Sequence, residues 1–207
     1  MSRRTLVIVT SSFLVALALA VAFAAARGAS GTAGAAGRLI GTPRHVEVSS
    51  SWAHGYADLH ELKAGAAAIV LGTVTSGRQL AVSSFSSGTP TMEYQIRVER
   101  ALKGNVPAAV DVRQIGGTTP DGALIVKDTE DPALAVGERG VFFLFTTDAT
   151  YYTLLDGGMG HFAITAGTVD QRGAFAASPA AIAAGRPAAA PIHGVGEDDF
   201  VAQVLAA

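Results

Sequence analysis

From Met92 to Glu99 the chain alternates without a break. Met92, Tyr94, Ile96 and Val98 are apolar, while Glu93, Gln95, Arg97 and Glu99 are polar. A period of two predicts a β-strand with one face in the core and the other in water. Ala66–Val74 is apolar throughout and rich in Ile, Val and Leu, which predicts a strand buried on both faces. Ala109–Ile115 predicts a third strand with Val110 and Val112 inward, and Leu124–Val126 a short fourth. The five large apolar residues Val141–Phe145 predict a central strand. Tyr151–Leu155 and Gly160–Ile164, parted by a glycine turn, predict a hairpin or one sharply bent strand.

Punctuation and helical spacing fill the gaps. Residues 83–91 and Gly116–Gly122 read as loops, and the strand opened at Met92 is expected to break at Ala101–Asn105, where Gly104 suits a positive φ. Tyr56, Leu59 and Leu62 share a helical face that Gly65 can end. Glu197-Asp198-Asp199 ahead of Phe200, Val201, Val204 and Leu205 predicts a C-terminal helix with acidic residues in its first turn. Bent strands with short flanking helices predict a mainly β domain, a small closed or nearly closed β-barrel.

The N-terminus has a different character. After Met1-Ser2-Arg3-Arg4, residues 5–26 run uncharged to Arg27. A helix of that length spans about 33 Å, enough for a bilayer. The A-x-A-like exits at Ala22–Ala24 and Ala24–Ala26 also suit a cleaved signal peptide. Arg3 and Arg4 predict that the bulk of the chain lies outside the cytoplasm, either anchored or secreted. The expected organisation is a signal peptide or membrane anchor over 1–26, a flexible linker over 27–44, a β-barrel domain over 45–172, and an Ala/Pro-rich excursion with the C-terminal helix over 173–207. Trp52, in a segment of no clear pattern, is expected at the domain edge.

Composition removes several function classes. The chain has no cysteine, so disulfides, thiolate zinc sites, cysteine nucleophiles and lipobox anchoring are excluded. Net charge is −2, and Arg97, Arg100 and Lys103 are interleaved with Glu93 and Glu99. That pattern offers no basic stripe for nucleic acid.

The series Ala68–Val74, Tyr94–Gly104 and Val110–Gly117, closed by Gly137-Glu138 before an apolar strand and a glycine turn before Phe162, resembles a known group. It is similar to exported bacterial proteins whose domain resembles the netrin-like module of tissue inhibitors of metalloproteinases. The resemblance covers roughly residues 56–170 and implies an OB-fold barrel. Those inhibitors bind the protease zinc through an N-terminal, disulfide-bonded cysteine. A chain without cysteine cannot inherit that mechanism.

Candidate chemistry is sparse. His54, His60 and His161 lack metal-ligand spacing and read as surface or edge histidines. Asp128, Glu130 and Asp131, followed by Pro132, read as a solvated acidic loop and not a calcium loop. Gly157–Gly160 lacks the Lys-Ser/Thr of a phosphate loop and reads as a tight turn. Ser83, Ser84, Ser86 and Ser87 sit in no nucleophile elbow. Tyr94, Phe142, Phe143, Phe145, Tyr151, Tyr152 and Phe162 fall in strand patterns and read as core, not as base-stacking platforms. No residue is assigned a catalytic, cofactor-binding or metal-ligating role. The expectation is a non-catalytic extracytoplasmic binding or interaction module. It contacts the membrane through the N-terminal helix if that is uncleaved, has a protein as a possible partner, and binds no nucleic acid. An exported hydrolase and a structural envelope protein are the alternatives.

Overall fold

A computed structural model describes residues 42–49, 55–80, 89–119, 121–146 and 150–207. The apolar N-terminal segment, most of the linker, Trp52, His54 and the serines of 83–87 lie outside the described residues. Among the described residues no helix is long and apolar enough to cross a membrane.

The protein is mainly β. Its strands are β1 (Arg44–Val48), β2 (Ala68–Gln79), β3 (Thr91–Lys103), β4 (Ala109–Ile115), β5 (Gly117–Thr118), β6 (Leu124–Asp128), β7 (Arg139–Phe145), β8 (Thr153–Leu154), β9 (His161–Thr165), β10 (Thr168–Gln171) and β11 (His193–Gly196). Among the described residues three α-helices accompany them: α1 (Leu59–Gly65), α2 (Pro179–Ala183) and α3 (Glu197–Ala206). The main sheet has eight strands, in the order β11-β10-β9-β7-β2-β3-β4 with β8 also on β7. A second sheet runs β1-β6-β5.

Three consecutive antiparallel strands, β2, β3 and β4, are followed by β7, which returns to lie beside β2. This is Greek-key order. The far edge does not stay open. Tyr152, entering β8, bridges in parallel to Val112 of β4. Its N–H donates to Asp111 O at 2.9 Å, and its carbonyl accepts from Arg113 N at 2.8 Å. Since β8 pairs with β7, the pairings form a ring through β4, β3, β2, β7 and β8.

The bending has local causes. The register of β2 against β3 shifts at three places, between Ile69 and Val70, Leu71 and Gly72, and Val74 and Ser76. Each bulge adds twist and bend. At Gly72 a Cβ would meet Arg97 O at 2.5 Å, so only glycine allows the two backbones this close.

Alternation along β7 divides the interior in two. Val141 and Phe143 pack with Leu62, Ile69, Leu71, Phe162 and the buried face of α3, Phe200, Val201 and Val204. Phe142 and Leu144 pack inside the ring with Val70, Val74, Tyr94, Ile96, Val110 and Val112. The double burial expected for the first half of β2 follows from its place between these two cores.

Several expectations are corrected. β3 continues through Lys103, because the bulges carry its pairing with β2 onward and turn Leu102 toward the helix-side core. The chain then reverses at Gly104, whose φ is +80°. Arg44, placed at the end of the linker, opens β1, a mostly exposed strand parallel to β6. Gly117 and Thr118, placed in a loop, pair with β6. Helix α1 begins at Leu59, not Tyr56. Asp58 caps it by accepting from Glu61 N at 2.9 Å, and the Glu61 carboxylate reaches back past the cap to accept from Ala57 N at 2.9 Å. Tyr56 instead lays its ring against Gly65. Of the two readings for Tyr151–Ile164, the bent strand is found. β8 and β9 both pair with β7 on the same side, interrupted by the 3-10 turn Gly157–Gly160. The Ala/Pro-rich stretch contains α2 and anchors itself through buried Phe175 and Ala181.

Candidate functional site

Polar groups gather where β3 begins and β4 ends. Gln114 holds the inward position two residues beyond Val112, and it is buried. Its Nε2 donates to Asp131 Oδ1 at 2.6 Å and to Pro132 O at 3.2 Å, while its Oε1 accepts from Leu134 N at 3.1 Å. One amide therefore straps three residues of the β6–β7 connection across the end of the ring. Burial pushes the Asp131 carboxyl up to about 7; the Gln114 hydrogen bond opposes this, and neighbouring Asp128 adds to it. Asp128 is itself buried and accepts from Glu130 N at 3.0 Å. Tyr94 completes the group, its phenol pushed up by burial and then by the charges of Asp131 and Glu138. A cavity of about 60 Å³ lies between this cluster and β5–β6.

A second polar group surrounds His161. The ring is 1 % exposed and stacks on Phe142, with centroids 5.3 Å apart. Its Nε2 is 3.2 Å from Glu138 Oε1 without hydrogen-bond alignment, and Nδ1 is buried with no hydrogen-bond partner. Glu138 also contacts Arg172 at 3.2 Å and accepts from Ala135 N at 3.0 Å. Burial alone would raise the Glu138 carboxyl, but these three partners outweigh it and hold it at about 2.

The outer face of the ring carries ion pairs. Glu93 sits between Arg78 of β2 and Arg113 of β4, its cross-strand neighbours, and bonds to both. Arg113 lies over Tyr151, 3.9 Å from the ring centroid. Farther along, Arg139 forks onto Glu197 at 2.6 and 2.8 Å and donates to Glu99 at 2.8 Å, clasping the start of α3 to the sheet.

A cleft of about 390 Å³ opens beside the turn Gly157–Gly160. One wall is the 3-10 turn with Asp156 and Met159, another is Glu130, and residues 173–179 form the rim. The Gly158 N–H donates to Glu130 O at 3.0 Å, fixing turn and connection together. Asp156 adopts a left-handed backbone, φ 48°, and its carboxylate is largely buried.

The residues singled out from sequence are thus redistributed. His60 is exposed, and His161 is a core residue, not a surface or edge one. The solvated acidic loop is corrected: Asp128 and Asp131 are buried, and only Glu130 is exposed. Among the described residues no three His, Asp or Glu side chains are placed to hold a metal ion. Gly157–Gly160 is a buried 3-10 turn. Of the seven aromatics, Tyr94, Phe142, Phe143 and Phe162 are core, Tyr151 and Tyr152 are half-buried, and Phe145 is exposed. Lys103 donates to the carbonyls of Lys63 and Ala64 and so caps α1. Sequence reading missed Gln114, although its phase with Val110 and Val112 was the available signal: a polar residue at an inward strand position. No family model and no curated protein matches this chain.

Proposed function

We propose that this chain is a non-catalytic, extracytoplasmic binding module on an OB-like barrel, with the cleft beside Asp156 as its ligand site. The cleft is the observation that carries the reading. Its volume falls within the usual range for small-molecule sites, roughly 300–1,000 Å³. Its rim of Gly, Ala and Pro leaves backbone accessible, and Asp156 and Glu130 favour a ligand presenting hydrogen-bond donors.

The barrel assignment draws support from the Greek-key order and the closing Val112–Tyr152 bridge, which fit a five-stranded OB-type barrel. The same features support likeness to the exported netrin-like proteins. Residues 1–26 are the signal peptide or membrane anchor and set the address.

A thermal-shift screen of small polar compounds tests the site, because a ligand that prefers the native state raises Tm. Hits should shift the wild type and leave Ala176→Trp, which fills the rim, unshifted at an unchanged basal Tm. Hits that shift both proteins equally place the ligand elsewhere and reject the cleft. Turnover of an ester or peptide panel would replace the binding reading with the hydrolase one.

A further inference from the structure

We propose that residues 129–138, connecting β6 to β7, form a proton-controlled clasp. The carboxyl of Asp131, latched to the buried amide of Gln114, holds the connection over the end of the ring when protonated and frees it when ionised. This reading stands independently of the cleft.

The geometry concentrates the attachment in one side chain. Gln114 supplies bonds to residues 131, 132 and 134, and it projects from the interior face of β4, where it is 2 % exposed. Asp131 is buried and has no ion-pair partner among the described residues. The titratable groups facing it are Tyr94 from β3 and Asp128 and Lys127 from β6. Lys127 is exposed, Tyr94 is a neutral phenol, and Asp128 is of like sign. On β4, Arg113 is committed to Glu93 and Tyr151. At the far end of the connection, Glu138 faces His161 and Arg172. An anion at Asp131 therefore meets a like charge and no cation, and release into water is its route to solvation. The cavity of about 60 Å³ beside the latch has room for water to enter.

Asp131 holds its proton to about pH 7 in the closed state. In an open connection it would ionise near pH 4. Closure therefore weakens by up to about tenfold per pH unit between those limits and levels off above them.

Hydrogen exchange at the Leu134 amide, which bonds Gln114 Oε1, reads the clasp in the full-length protein. After correction for intrinsic rates, protection in the wild type should fall about tenfold from pH 5.5 to 6.5 and flatten by pH 8. Asp131→Asn keeps a neutral acceptor for Gln114, so its protection should stay within about twofold over that range. Identical pH courses in the two proteins overturn the proposal. Should Asp131→Asn fail to fold, carbon-13 titration of the wild-type Asp131 carboxyl decides alone. A midpoint near 7 that moves the Gln114 side-chain amide signals supports the clasp, and titration complete below pH 5 overturns it.

Discussion

At the scale of single residues, β3 carries the sharpest contrasts. Ile96 is fully buried inside the ring, and Arg97 beside it is 63 % exposed with only a 4.0 Å contact to Glu99. Ile96→Ala should cost about 2–5 kcal/mol through lost burial and the cavity left behind. Arg97→Ala should stay within about 0.5 kcal/mol. Glu93 breaks the simple alternation. It occupies an outward position, yet it is 7 % exposed because guanidinium groups from both neighbouring strands close over it. Burial would raise its carboxyl, but Arg113 and Arg78 outweigh that and lower it. Glu93→Ala should therefore cost about 1–3 kcal/mol, several times more than Arg97→Ala. Urea midpoints of the three variants check this ordering. Equal costs at positions 93 and 97 would mean that the outward face is uniformly solvated.

At the scale of elements, closure depends on a short contact. Tyr152 reaches β4 through two backbone hydrogen bonds, and its N–H makes one of them. Tyr152→Pro removes that donor and leaves Asp111 O without it, whereas Tyr152→Ala removes only the ring. The proline variant should be less stable than the alanine variant by about 1–3 kcal/mol in equilibrium unfolding. No difference would show that the bridge contributes nothing to closure. This contact also marks a limit of what sequence pattern reveals. The alternation of Met92–Glu99 and the apolar run Val141–Phe145 announced strands because burial dictates side-chain period. Tyr152 and Val112 are 40 positions apart, and a single parallel bridge leaves no periodicity. β1 was invisible for a related reason: Arg-His-Val-Glu-Val on an exposed edge buries too little to pattern it. The cluster at Gln114 was half legible. Its inward phase could be read from Val110 and Val112, but the partner, Asp131, sits beside a proline in a segment whose composition suggests solvent.

At the scale of the whole molecule, two carboxyls with opposite shifts set the pH dependence of folding. Glu138 is held at about 2 in the folded protein, below its unfolded value near 4.3. Its stabilisation is present above that unfolded value and is lost as pH falls toward 2. Glu93, Glu99 and Glu197 are also lowered, and they steepen this acid branch. Asp131 acts the other way. Between about pH 4 and 7 the folded state keeps a proton that the unfolded chain has released, so stability falls as pH rises. A shift of that size in so buried a group corresponds to about 4 kcal/mol in all. The two branches meet near pH 4–5, so the urea midpoint should peak there, decline toward pH 7 and then level. Asp131→Asn removes the declining branch: its midpoint should be flat from pH 4.5 to 7.5 and exceed the wild type at the upper end. The acid branch should survive in that variant, since Glu138 is untouched. A wild-type midpoint that rises steadily from pH 4.5 to 7.5 would show that Asp131 ionises freely in the folded state. The Gln114 latch would then be an ordinary hydrogen bond with no titration attached to it.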